Sequence, residues 1–112
     1  MEGSYVEIWK PVVGYEGLYS VSSFGRVRRD CGTSGSHIGL ILKQAIRKDG
    51  YPQISLYRNR TKTPFKVHRL MALCFMGVRP EGYQVNHKDG NKSNNCINNL
   101  EYVTPYRIWK HY

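Results

Sequence analysis

The residues from Val85 to Thr104, "VNHKDGNKSNNCINNLEYVT", hold one histidine, His87, among six asparagines. Imidazole is the side chain that changes charge nearest neutral pH, so a neutral His87 could take a proton from water as a general base. Hydrolysis of a phosphodiester needs such a base, together with a cation to stabilise charge developing on the phosphate and the leaving oxygen. Carbonyl oxygens of Asn and Asp suit a hard ion such as Mg²⁺. Asparagine is also a turn former, because its short side chain bonds nearby backbone and tolerates positive φ. On spacing alone, His87 could equally cap an asparagine-stapled turn and do no chemistry. A calcium loop is excluded: Gly90 directly follows Asp89, and the twelfth position of "DGNKSNNCINNL" is Leu100 rather than glutamate.

The elements that must hold His87 are legible around it. "YQVNHK" and "NNLEYVT" read as strand, loop and strand. Thr104 is placed as an N-cap and Pro105 at the first helical position, so a short last helix is predicted to complete a β-β-α unit. Upstream, "HRLMALCFMG" switches to helical spacing: Leu70, Leu73 and Cys74 share a face, Met71 and Phe75 widen it, and Gly77 stops it. Asp49-Gly50 is a hairpin dipeptide, "RNRTK" a polar reversal between "YPQISLY" and "PFKVHRL", and Pro52 marks an edge or a strand's first residue. Further forward, Leu18, Ser20 and Ser22 alternate against Tyr19, Val21 and Ser23, and spacing sends Arg26 and Arg28 to one face. Asp30 to Gly39 reads as an exposed loop. The class is α+β: a strand-rich front part, then a ββα core. The division falls at residues 5–48 and 49–112.

A chain of 112 residues, 40% hydrophobic and with nine tyrosines, can bury one modest core. Its formal charge of +9 favours a nucleic-acid backbone over an anionic membrane or an acidic protein. The basic residues are scattered over strands and turns instead of lining an amphipathic helix, which argues against membrane-surface binding. "MEGSYVEIWK" lacks the features of a secretory signal and the apolar run near "LMALCFMGV" is too short to span a bilayer, so the chain is read as soluble and intracellular. Cys31, Cys74 and Cys96 are isolated, with no C-x-x-C pair, so neither a disulfide framework nor a structural zinc is expected.

Three ordered segments carry a family resemblance. "YQVNHKDGNKSNNCINNLEYVT" resembles the core of phage-type HNH homing endonucleases. "EIWKPVVGYEGLYSVSSFGRVRR" is similar to the DNA-binding module often fused in front of that core, and "FKVHRLMALCF" to the segment that joins them. The resemblance implies a ββα-metal fold, cleavage or nicking of double-stranded DNA, and one divalent metal, Mg²⁺ or Mn²⁺. It puts the general base at His87 and a metal-binding position at Asn86. Asn94 or Asn95 would brace the loop and orient His87, and Asn99 would anchor the second strand. His68, in "VHRL", would be packed or hydrogen-bonded behind the hairpin. Arg26, Arg28, Arg29, Lys43, Arg47, Lys48, Arg58, Arg60 and Lys62 are the candidates for phosphate contact.

One position departs from the pattern. The family's second metal donor, four residues beyond the threonine of "TP", is Ile108 here, and it has no lone pair. His111 shares its helical face and offers a nitrogen as a weak substitute. The alternative reading is therefore a weak or inactive nuclease fold that binds DNA or an acidic protein partner. A monomer or small oligomer is expected, working in the bacterial host cytoplasm if phage-encoded. His37 is read as exposed, and Trp9 and Trp109 as packing aromatics.

Overall fold

The computed structural model describes residues 6–32 and 38–105. The expectations for His37, for the body of the last helix, and for Ile108, Trp109 and His111 lie outside the described residues.

Strands β1 (Trp9–Pro11), β2 (Tyr19–Ser22) and β3 (Val27–Arg29) form an antiparallel sheet in that order. All four residues of β2 are buried, so the alternation read there does not separate a wet face from a dry one. Tyr19 and Val21 enter the core, whereas Ser20 meets Asp30 and Ser22 accepts the Phe24 and Arg26 amides of the following turn. Small hydroxyls can be buried there because backbone and side-chain partners satisfy them.

The second sheet runs β4 (Ala45–Ile46), β5 (Pro52–Arg58), β6 (Thr61–Lys66). Pro52 opens β5 and, lacking an N–H, sits at the end of the ladder opposite Ile46. Pro52, Ile54 and Leu56 are buried on one side of β5, as period two requires. Asn59 and Arg60, both at positive φ (51° and 63°), close the β5–β6 hairpin in the twist-compatible turn. Strand β6 passes directly into α1 (Val67–Met76), whose Val67, Leu70 and Met71 fill the core between the sheets. The Tyr57 amide donates to the Tyr19 hydroxyl at 3.1 Å and Arg58 to the Gly14 carbonyl, tying the second sheet to the first.

Strands β7 (Gln84–His87) and β8 (Leu100–Val103) make the last hairpin, with a 3₁₀ turn at Ile97–Asn99 before β8. Their register sets His87 opposite Leu100 and Asn86 opposite Glu101. The α+β class read from the sequence is the observed one. Among the described residues no helix is long and apolar enough to cross a membrane.

Candidate active site around His87

His87 ends β7 with its side chain buried, and its Nε2 lies 2.7 Å from Asn95 Oδ1. A carboxamide oxygen only accepts, so Nε2 carries the proton and the neutral ring keeps its lone pair on Nδ1. That is the tautomer a base needs when its other nitrogen is clamped.

The loop is organised on Asp89. Its carboxylate accepts from the Asn94 side chain (2.8 Å), the Asn91 amide (2.8 Å) and the Asn99 side chain (2.9 Å). These bonds, the one from Asn94 foremost, hold the Asp89 carboxyl below the usual carboxylate range. Asn99 also receives the Asp89 amide at 3.1 Å and donates to the Asn94 carbonyl at 2.8 Å. Asn95 thus touches the imidazole, while Asn94 and Asn99 act one step back, through Asp89.

Two other parts of the chain seat this loop. The Ile97 amide donates to the Ser23 carbonyl at 2.9 Å, and buried Gly25 comes against the Asn95 backbone. Lys92 Nζ donates to the Asp49 carbonyl at 2.7 Å, reaching the β4–β5 turn.

His68 stacks on Tyr51 with ring centroids 4.7 Å apart and lies 5.1 Å from the His87 ring. Burial, then the nearby His87, Arg69 and Lys66, push the His68 pKa down to about 4, so it is neutral at pH 7. Its buried Nδ1 has no hydrogen-bond partner among the described residues. The three rings border an open cavity of about 240 Å³, whose wall also includes Asn86, Lys66, Arg69, Arg79 and Lys92. The Lys66 and Lys92 ammonium groups lie 5.1 and 4.8 Å from the Tyr51 ring centroid. Four cations around one recess favour a polyanion.

Toward a metal, the described residues offer oxygen. Asn86 Nδ2 donates to Glu101 Oε2 at 2.8 Å, which leaves Asn86 Oδ1 as the side chain's acceptor at the cavity wall. Among the described residues no three His, Cys, Asp or Glu side chains gather as a ligand set. A carboxamide oxygen backed by a carboxylate fits a hard ion that keeps most of its water, as Mg²⁺ does. His111 lies outside the described residues.

The structure does not gather the nine basic residues singled out in the sequence. Arg26 donates through Nε to Glu7 at 2.7 Å and Arg28 to Asp30 at 3.0 Å, with both guanidiniums over Trp9. Arg47 binds Asp49 and Gln53, and Arg58 is used on Gly14. Arg29, Lys43 and Lys62 line a separate groove of about 290 Å³ beside β5 with Tyr57, Gln53 and Ser55. Lys48 and Arg60 are exposed in turns. The cavity cations Lys66, Arg69, Arg79 and Lys92, and Glu101 bonded to Asn86, were missed in the sequence. They come from four separate segments, and only the flank of "VHRL" hinted at two of them.

Comparison with known proteins gives two family matches, the NUMOD4 motif over residues 7–57 and HNH endonuclease over residues 65–106. The chain is 45% identical over 96 residues to the DNA endonuclease I-HmuI of Bacillus phage SP01, covering 86% of this chain and 52% of that protein. It is 42% identical over 95 residues to an uncharacterised HNH endonuclease of Acanthamoeba polyphaga mimivirus, covering 85% of this chain and 26% of the other. A solved structure described as DNA binding and cleavage by the HNH homing endonuclease I-HmuI superposes with a TM-score of 0.79 at 42% identity. It covers 93% of this chain and 56% of that one. The chain therefore spans about half the length of I-HmuI and less of the mimivirus relative.

Proposed function

The chain belongs to the HNH homing endonuclease family, and on that premise we propose that it binds double-stranded DNA and hydrolyses a phosphodiester bond with His87 as the general base. The observation that carries the proposal is His87 itself: an imidazole clamped at Nε2 by Asn95, on the wall of a cavity ringed by four cations.

The steps assigned to this chain's residues are few. Lys66, Arg69, Arg79 and Lys92 draw the phosphate into the recess, an electrostatic contribution that weakens with salt. Asn95 keeps His87 in one tautomer and one orientation. His87 Nδ1 takes the proton from water as the water oxygen bonds to phosphorus and the bond to the leaving sugar oxygen breaks. His68, neutral beside it, adds no second positive charge next to the base. The family is generally dependent on a divalent metal, and we assign Mg²⁺ or Mn²⁺ to the Asn86 Oδ1 side of the cavity. When bound, the ion supplies charge stabilisation for the phosphate and the leaving oxygen. A phage-encoded chain of this kind would meet its DNA in the host cytoplasm.

The test is nicking of supercoiled plasmid in Mg²⁺ or Mn²⁺ by the wild type and by His87→Ala. The variant is expected to lose roughly 100-fold or more of the rate. Equal nicking by the two proteins ends the assignment.

A further inference from the structure

We propose that Glu101 is a positioning residue that fixes the Asn86 carboxamide with its oxygen toward the cavity; the inference rests on the nuclease reading above. Asn86 and Glu101 face each other directly across the β7–β8 ladder, and Asn86 Nδ2 donates to Glu101 Oε2 at 2.8 Å. An ionised carboxylate has no proton to give, so it can hold only the N–H side of the amide. The torsion that turns a carboxamide is broad and nearly two-fold. Without Glu101, the Asn86 amide would present nitrogen or oxygen to the cavity almost indifferently. With it, Oδ1 is the atom left free of Glu101, on a residue that lines the cavity wall while Glu101 itself does not. A hard cation takes oxygen and refuses an amide nitrogen, so the orientation decides whether Asn86 is a donor at all.

The same pair settles where the negative charge of this rung of the ladder sits. Asn86 is neutral and Glu101 charged, so the two together carry a single negative charge, on β8 instead of β7. An aspartate at 86 would set two carboxylates directly opposite one another, which is destabilising in a ladder. The polarised hydrogen bond to Glu101 also pushes electron density toward Asn86 Oδ1, compensating in part for the missing carboxylate. Asn86 and Glu101 are thus matched, and the identity of either one constrains the other.

The experiment uses the full chain with Mn²⁺ as the probe, and compares wild type, Glu101→Ala, Asn86→Asp and the swap Asn86→Asp/Glu101→Gln. Mn²⁺ affinity is read by electron paramagnetic resonance and stability by melting in EDTA. Glu101→Ala is expected to bind Mn²⁺ about tenfold more weakly, the loss usual when the partner of a metal ligand is removed. In EDTA, Asn86→Asp is expected to melt roughly 2 to 5 °C lower than wild type, and the swap to recover that loss. A purely structural Glu101 would lower the melting point in Glu101→Ala and leave Mn²⁺ affinity untouched. The proposal is overturned by that result, by a wild type that binds no Mn²⁺, or by an Asn86→Asp protein as stable as wild type. The EDTA melts do not depend on cleavage, and failure of the nuclease reading shows separately as His87→Ala nicking like wild type.

Discussion

Gly25 and Asn95 meet across the boundary between the first sheet and the His87 loop. A Cβ on Gly25 would stand 3.0 Å from the Asn95 carbonyl oxygen, and Gly25 has a φ of +89°. Both facts demand glycine: the backbone angle disfavours any L side chain, and the neighbour is main chain with little room to yield.

Gly25→Ala should therefore cost about 1–3 kcal/mol in urea unfolding. It should also reduce plasmid nicking more than DNA binding, because the push falls on the residue that clamps His87. Nicking that survives unchanged in a measurably destabilised Gly25→Ala protein would show that the clamp tolerates displacement.

The basic residues should divide into two groups. Replacing Arg69, Arg79 or Lys92 with alanine removes a cation from the cavity and should lower the slope of log affinity against log salt by about one unit each. Arg26 and Arg28 are engaged with Glu7 and Asp30, so their alanine variants should move the slope less. Filter binding across a salt series checks both. Equal effects in the two groups would mean that DNA breaks the ion pairs of the first sheet.

His68 makes stability depend on acid. Burial lowers its folded-state pKa to about 4, while the unfolded imidazole titrates near its ordinary value of about 6.5. Between those limits the unfolded chain binds the extra proton, so stability falls as pH drops through the window, by up to about 3 kcal/mol. His68→Phe keeps a ring against Tyr51, removes the orphaned Nδ1, and should flatten this part of the curve. Urea midpoints of the two proteins at pH 7, 6, 5 and 4 test it; parallel curves would put the acid sensitivity elsewhere.

Asp89 is the hub of the asparagines. Its lowered carboxyl stabilises the loop above the ordinary carboxylate range, and that contribution is lost as pH falls through the folded-state value. At pH 7, Asp89→Ala should speed amide hydrogen exchange at Asn91, whose N–H loses its acceptor, while the core strand β5 stays protected. Unchanged protection at Asn91 would show that the turn holds without its carboxylate.

Much of this architecture can be read before folding. The change from period two to helical spacing locates the β6–α1 junction, Asp49-Gly50 announces its turn because glycine accepts the positive φ found at Gly50, and the polar run "RNRTK" marks the β5–β6 reversal, though not the positive φ that Arg60 adopts there. His87 stands out by chemistry, and the surrounding amides by their number. What stays hidden depends on register and convergence. The pairing of Asn86 with Glu101 follows from which residues face each other across a loop twelve residues long, a quantity no local pattern encodes. Lys66, Arg69, Arg79 and Lys92 look like ordinary solvated charges until β6, α1, the connection that follows α1 and the His87 loop are brought together. Conversely Arg26 and Arg28 look free in the sequence because Glu7 lies some twenty positions away from Arg26 and Trp9 on another strand.

The Ser22–Arg26 turn closes one sheet and, through Ser23 and Gly25, also serves as the seat for the segment that carries Asn95 and Ile97. Exchange of the front segment between relatives by recombination would accordingly be constrained at this turn. A donor module with a longer turn, or a bulkier residue at 25, would graft cleanly by sequence alignment and still deliver a misaimed imidazole.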